Sequence, residues 1–213
     1  MLKVEALTLG LMQSNCYILY DADSRDAVII DPGANAEKII IRAEELKVKV
    51  QHILLTHAHF DHMGAADRIS ETYGCDIIVG REDLLLLTDP VLNLSRGFYE
   101  DVTVKCKDIT AVADESLKLL GRRFDFIATP GHTNGSLCIK AEDKLFTGDT
   151  LFYRSVGNAF PPYGSLEREI KSIINNIFSI EENCICYPGH GGTTDIEFER
   201  KNNPYVNGEQ YGY

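Results

Sequence analysis

The spacing of apolar and polar positions changes several times along the chain. Apolar runs at residues 4–9, 16–19 and 27–30, separated by turn residues, predict an opening meander of strands. A helical spacing follows. Asn35 is placed to cap a helix over Ala36–Leu46, residues 63–73 predict a second helix ended by Gly74, and residues 81–88 a third that stops before Pro90. Further strands are predicted at 51–55, 77–79, 109–112, 123–128, 137–140, 144–146 and 184–187. Ser165 then opens a long amphipathic helix with the apolar stripe Leu166, Ile170, Ile173, Ile174, Ile177 and Phe178. The apolar run 84–87 reads as helix core, and Asp195, Glu197 and Glu199 as a solvated helix surface. Strand-rich halves, each closed by helices, predict an α/β (α+β) fold in which two mixed sheets pack together with helices outside, an αββα sandwich. The chain has 213 residues, 44% of them hydrophobic, with no internal repeat or linker, so one domain over residues 1–213 is expected.

The chemistry concentrates where these strands end. Directly after the apolar run 53–55 the chain reads Thr56-His57-Ala58-His59-Phe60-Asp61-His62. In extended backbone His57 and His59 share one side, and Asp61 and His62 reach past them toward a second ion. Three more ligand-type residues sit in tight turns after apolar runs: His132 in Pro130-Gly131-His132-Thr133, Asp149 in Gly148-Asp149-Thr150, and His190 in Pro188-Gly189-His190-Gly191. Loops at a rigid sheet edge are where sites are usually built. His132 or His190 taken alone is as readily a structural histidine as a ligand. Five of the six histidines in such loops, with two aspartates, point together to metal. His52 begins the strand 51–55 without a partner pattern and reads as structural.

The segments H-A-H-F-D-H, P-G-H-T-N-G-S, G-D-T-L-F and P-G-H-G, in this order and spacing, resemble the metallo-β-lactamase-fold hydrolases, and within them the glyoxalase II-like branch. The resemblance runs from Ile30-Asp31-Pro32-Gly33 to Asn203-Pro204-Tyr205 and implies the same αββα sandwich. It also implies a ligand set: His57, His59 and His132 hold one ion, Asp61, His62 and His190 hold a second, and Asp149 is shared. Imidazole and carboxylate donors suit zinc, with iron and manganese as alternatives. Asp31 is a candidate acceptor for the second proton of a ligand imidazole, or else a plain turn aspartate.

Two ions roughly 3.5–4 Å apart lower the pKa of a shared water toward ~7, so Asp61 and Asp149 would serve catalysis through that water and no side-chain base is required. No G-x-S-x-G or S-x-x-K pattern offers a covalent nucleophile. A thiolate leaving group of pKa about 8.5 departs without acid assistance, whereas an amine must be protonated, so a small thioester or ester is the expected substrate. Two other readings stand beside this one: an iron persulfide dioxygenase-like oxidoreductase using His57, His132 and Asp149 alone, and a metal-binding module without catalysis.

The branch usually carries Gly-Lys or Gly-Arg after G-D-T-L-F, where the basic residue meets the anionic end of the substrate. Here Gly157-Asn158 stands in that place, followed by Phe160 where tyrosine is common. Asn158, Arg154 and Tyr163 are therefore the candidate substrate contacts. Longer glyoxalase II enzymes add a C-terminal helical region that binds glutathione. This sequence runs only about twenty residues past Pro188-Gly189-His190-Gly191, so that region is expected to be absent.

A net charge of −11, with no basic cluster longer than Arg122-Arg123, disfavours nucleic acid as a partner. No run approaches the roughly 20 apolar residues of a membrane span, and no leader pattern opens the chain, so no membrane partner and a cytoplasmic location are expected. The six cysteines are scattered without a C-x-x-C pair and read as buried reduced thiols, with Cys184 and Cys186 on one strand face.

Overall fold

The opening meander forms where the apolar runs predict it, in a computed structural model that describes residues 1–98, 100–159 and 164–207. Strands β1 (Leu2–Leu9), β2 (Ser14–Asp21) and β3 (Asp26–Ile30) pair antiparallel. Helix α1 (Ala36–Leu46) carries the chain back to β4 (Lys49–Leu54), parallel to β3. After α2 (Phe60–Met63) and α3 (Ala66–Tyr73), strands β5 (Asp76–Gly80) and β6 (Ile109–Val112) continue in parallel, giving a sheet ordered β1-β2-β3-β4-β5-β6.

The second half repeats the logic with more antiparallel pairing. Strands β7 (Glu115–Leu119), β8 (Arg122–Ala128), β9 (Leu137–Ala141) and β10 (Lys144–Gly148) are consecutive antiparallel neighbours. The short pair β11 (Leu151–Phe152) and β12 (Ser155–Val156) leads toward α4 (Leu166–Ser172). The chain then returns as β13 (Ile185–Pro188), parallel to β10, followed by β14 (Thr194–Asp195) and α5 (Ile196–Asn202). The second sheet is ordered β14-β13-β10-β9-β8-β7.

Successive side chains on a strand face opposite ways, and this alternation divides the interior into layers. Ile18, Ile29, Ile53 and Ile77 pack against Ile39, Ala43 and Ile69 of α1 and α3. Their neighbours Leu19, Val28, Leu54 and Ile78 face Phe124, Phe126, Ile139 and Phe146 of the other sheet. On the far side Cys138, Leu145 and Cys186 meet Ile173, Ile177 and Ile196. The order is helix, sheet, sheet, helix, the sandwich that the strand and helix pattern predicts.

Several predicted features differ. Residues 63–73 are not one helix: the Ala65 N–H donates to the Pro32 carbonyl at 2.8 Å, which breaks the path between α2 and α3. Residues 81–88 form only a 3₁₀ turn at Arg81–Asp83 followed by irregular turns, with Leu86 and Leu87 buried but Leu84 and Leu85 exposed. The Asp83 side chain is drawn inward there to distant partners. Helix α4 widens into a π-helical turn at Ile173–Ile177, which leaves Ile174 at 44% exposure while Glu169 lies on the buried face. Glu199, read as solvated, is buried: its carboxylate accepts from Thr194 Oγ1, Arg154 N and Asn203 Nδ2 at 2.6–2.9 Å.

Asn35 precedes α1 with φ +52, but its side chain accepts the Gly10 N–H rather than capping the helix. The six cysteines are free thiols, all but Cys106 buried. Among the described residues no helix is long and apolar enough to cross a membrane.

Candidate metal centre

Past the end of β4, Leu55 and Thr56 are buried and lead the chain to His57 and His59 before α2 begins. His57 Nε2 lies 3.1 Å from His59 Nδ1, and His132 Nε2 lies 2.9 Å from the same atom. The first turn of α2 presents Asp61 and His62. Asp61 Oδ2 lies 3.3 Å from His190 Nε2 and 3.6 Å from His62 Nε2. Asp149, just beyond β10, sits between the two groups: Oδ2 is 3.6 Å from both His132 Nε2 and His190 Nε2, and Oδ1 is 3.4 Å from His62 Nε2. Three overlapping triads result, His57/His59/His132, His57/His62/Asp149 and Asp61/His62/His190, with the donor atoms of each within 4.8 Å of one another. The fold thus brings together all seven side chains that the sequence motifs single out as ligands. His52 is elsewhere, half-buried beside Asp76 between β4 and β5.

Neighbouring groups aim these side chains. Asp31, buried and at φ +51, accepts the Thr56 N–H at 2.8 Å and the Thr56 hydroxyl at 2.6 Å, and its Oδ2 takes the His62 Nδ1–H at 3.0 Å. His62 therefore presents Nε2 to the cluster. His132 donates Nδ1–H to the Asn158 carbonyl at 3.0 Å and likewise presents Nε2. The loop bearing His190 is clamped by Asn15, whose Nδ2 donates to the Pro188 and Gly191 carbonyls at 3.0 and 2.9 Å.

Two close approaches demand glycine. A Cβ on Gly189 would lie 2.2 Å from Asp149 Oδ1, and one on Gly33 would lie 1.6 Å from the Asp61 carbonyl oxygen.

The donor set fits divalent metal. His62 Nε2 and Asp149 Oδ1 are buried without a hydrogen-bond partner, an arrangement that costs free energy unless a cation satisfies them. Burial and the surrounding imidazoles hold His57 well below the usual histidine pKa, and burial with its neighbour His132 holds His59 at about 3, so both stay neutral donors. Burial also opposes charge on His62, yet the carboxylates of Asp149 and Asp61 outweigh it and raise its pKa. Asp61 and Asp149 keep lowered pKa values, because nearby imidazoles, His62 foremost, overcome the cost of burying the carboxylates.

Sequence reasoning missed two buried acids. Asp83 accepts from Ala58 N, between His57 and His59, from Gly135 N, and from the Thr133 hydroxyl beside His132, at 2.8–3.1 Å. In Arg81-Glu82-Asp83 nothing distinguishes it from a solvated charge. Glu169 is fully buried behind the Gly131 and Gly157 turns. Its place three residues after Leu166 and four before Ile173, on the apolar face of α4, was a readable signal.

Of the substrate candidates, Asn158 is exposed, and Arg154 is exposed at the β11–β12 turn with its N–H held by Glu199. Tyr163, like Phe160, lies outside the described residues.

Residues 9–190 match the sequence signature of the metallo-beta-lactamase superfamily. The chain is 34% identical to the hydroxyacylglutathione hydrolase GloC of Haemophilus influenzae, an alignment covering 97% of this chain and 99% of that protein. Among solved structures, the BLEG-1 B3 metallo-beta-lactamase superposes with a TM-score of 0.90 at 35% identity, covering 97% of this chain and 99% of that one. TTHA1623, crystallised in a di-iron-bound form, gives a TM-score of 0.83 at 28% identity, over 95% of this chain and 100% of that one.

Proposed function

The chain belongs to the metallo-beta-lactamase superfamily, and we propose that within it the protein is a dinuclear metal-dependent hydrolase of small thioesters or related esters, glyoxalase II-like in its chemistry. The observation that carries this reading is the position of Asp149, whose single Oδ2 lies equally close to His132 and His190. One carboxylate thereby reaches both donor groups. His57, His59 and His132 would hold one ion, Asp61, His62 and His190 the other, and Asp149 both. Bound there, divalent ions supply an activated water and polarise the acyl carbonyl. Imidazole and carboxylate donors suit zinc, iron or manganese, and TTHA1623 was crystallised in a di-iron-bound form.

The chain's own groups hold this arrangement in place. Asp31 and the Asn158 carbonyl fix the tautomers of His62 and His132, and the lowered pKa values of Asp61 and Asp149 keep both as carboxylates at neutral pH. In the overall reaction one water is consumed, a C–O bond forms, the C–S bond breaks, and a carboxylate and a thiol leave; of the two protons of the water, one passes to the thiolate and the other to solvent. A thiolate of pKa about 8.5 departs without a proton donor, which favours thioesters over amides.

Elemental analysis of the purified protein, paired with thiol release from a small acyl thioester, tests the reading. Two ions per chain and thiol release are expected. One iron per chain, oxygen consumption with glutathione persulfide and no thiol release would replace it with an iron persulfide dioxygenase.

A further inference from the structure

An apolar cleft of about 550 Å³ opens beside Asp61. Its walls are Leu11 and Met12 of the β1–β2 turn, Ala34 before α1, Phe60 at the head of α2, and Phe98 and Val102. The rings of Phe60 and Phe98 stack with centroids 5.7 Å apart. Leu11, Met12 and Phe98 are 73%, 42% and 59% exposed, a concentration of large apolar surface that marks a binding region. Asp61 lines the cleft and also belongs to the candidate metal centre, so a molecule reacting at that centre has the cleft as its immediate neighbour.

The polar groups of the lining select against a charged occupant. The Ser14 hydroxyl already donates to the Asp61 carbonyl at 2.6 Å, and the Gly10 amide to Asn35 at 3.0 Å. The charges among the described lining residues are the carboxylates of Asp61 and Glu100, with no cation. An anionic or strongly polar group would be repelled or left unpaired there, whereas hydrocarbon would gain by covering the exposed rings. In a thioester the thiol carrier is the part that ends in polar or charged groups, and the acyl part is the one that can be pure hydrocarbon.

We propose that this cleft is the acyl subsite of the enzyme and takes an apolar acyl chain of several carbons. The proposal rests on the hydrolase reading above. It makes acyl thioesters with an unsubstituted hydrocarbon chain better substrates than short, hydroxylated or charged ones, because the chain lies against Leu11, Met12, Phe60 and Phe98 while the carbonyl sits beside Asp61.

The test uses the metal-loaded protein and N-acetylcysteamine thioesters of acetate, butyrate, hexanoate and octanoate. We expect kcat/KM to rise roughly twofold per added methylene, as for a chain half-buried in apolar surroundings. The gain should fall mainly in KM, since the chain is remote from the bond that breaks. Non-hydrolysable thioether analogues should bind in the same order by calorimetry, without turnover.

Leu11→Asp and Phe98→Asp change exposed side chains, so the core is not disturbed. Each should lower the octanoyl-to-acetyl ratio of kcat/KM by about tenfold. Ile41→Asp, equally exposed on α1 but outside the cleft, should leave the ratio unchanged.

Hydrolysis indifferent to acyl length would overturn the subsite and leave the hydrolase reading standing, as would a chain-length effect that appears only when the alkyl group is placed on the thiol side. Failure of every thioester to release thiol would remove both.

Discussion

The carboxylate of Asp83 and the hydroxyl of Thr133 meet at 2.8 Å inside the protein, and the same carboxylate takes the Ala58 N–H at 3.1 Å. One buried acid therefore ties the loop of His57 and His59 to the loop of His132. These loops are distant in sequence and have no covalent reason to keep register.

Asp83→Ala should destabilise the fold by about 3 kcal/mol, the scale for breaking a buried network with a charged acceptor. It should also weaken retention of the ion that His57, His59 and His132 are proposed to hold. Asp83→Asn keeps the shape and one acceptor, so its losses should be smaller. Chemical denaturation and metal titration measure both. An alanine variant as stable and as metal-tight as the parent would show that the loops hold themselves in place.

Asp149→Ala should lower hydrolysis by several orders of magnitude, because it removes the one carboxylate that reaches both donor groups. His190→Ala, which strips only the second group, should fall between that variant and the parent. His52→Ala should change activity little, since His52 pairs with Asp76 away from the cluster. Steady-state rates for the three variants decide the matter, and equal rates for Asp149→Ala and His52→Ala would refute the ligand assignment.

Glu169 gives the stability a pH dependence of known sign. Burial, reinforced by the charge of Asp149, raises its pKa from an ordinary 4.5 to about 9. A group with a raised folded-state pKa contributes stability in full below its unfolded value, and loses it as pH climbs through the folded value. Its stabilising effect therefore declines between about pH 4.5 and pH 9. Glu169→Gln, which keeps the shape of the neutral acid, should melt several degrees above the parent near pH 8 and level with it near pH 4.5. Thermal melts at the two pH values check this, and a difference independent of pH would count against it.

Asn158 offers a gain rather than a loss. Its backbone carbonyl orients His132 while the residue itself is exposed, so a side-chain change leaves the hydrogen bond intact. Asn158→Lys should improve thioesters of anionic carriers such as glutathione by several-fold in kcat/KM, the worth of a charge-assisted contact of about 1 kcal/mol. The improvement should appear in KM, and neutral thioesters should not share it. Equal effects on charged and neutral substrates would mean that position 158 does not face the carrier.

Most of the strands, the sandwich and the set of side chains that converge were legible in the order of residues alone, whereas β7 and the two-residue strands β11, β12 and β14 were not. A strand buried on one or both faces must alternate or run apolar, as β2 and β3 do, and short motifs at strand ends keep their residues at the same sheet edge. The tight turns holding His132, Asp149 and His190 carry their own local signals in glycine and proline. What the remaining polar groups do is settled by packing. Glu199 and Asp83 look like solvated charges because nothing local reveals the Thr194 hydroxyl, the Arg154 amide or the Ala58 amide that satisfies them. The helix drawn from residue 63 begins only at Ala66, because the Ala65 N–H goes to the distant Pro32 carbonyl, and the one drawn through 81–88 is cut to a 3₁₀ turn where distant donors hold the Asp83 side chain inward. The apolar cleft beside Asp61 is likewise assembled from segments far apart in sequence. Periodicity records which face of an element is covered, but a hydrogen bond or a cavity wall depends on which other segment arrives there, and that is set only when the sheets pack.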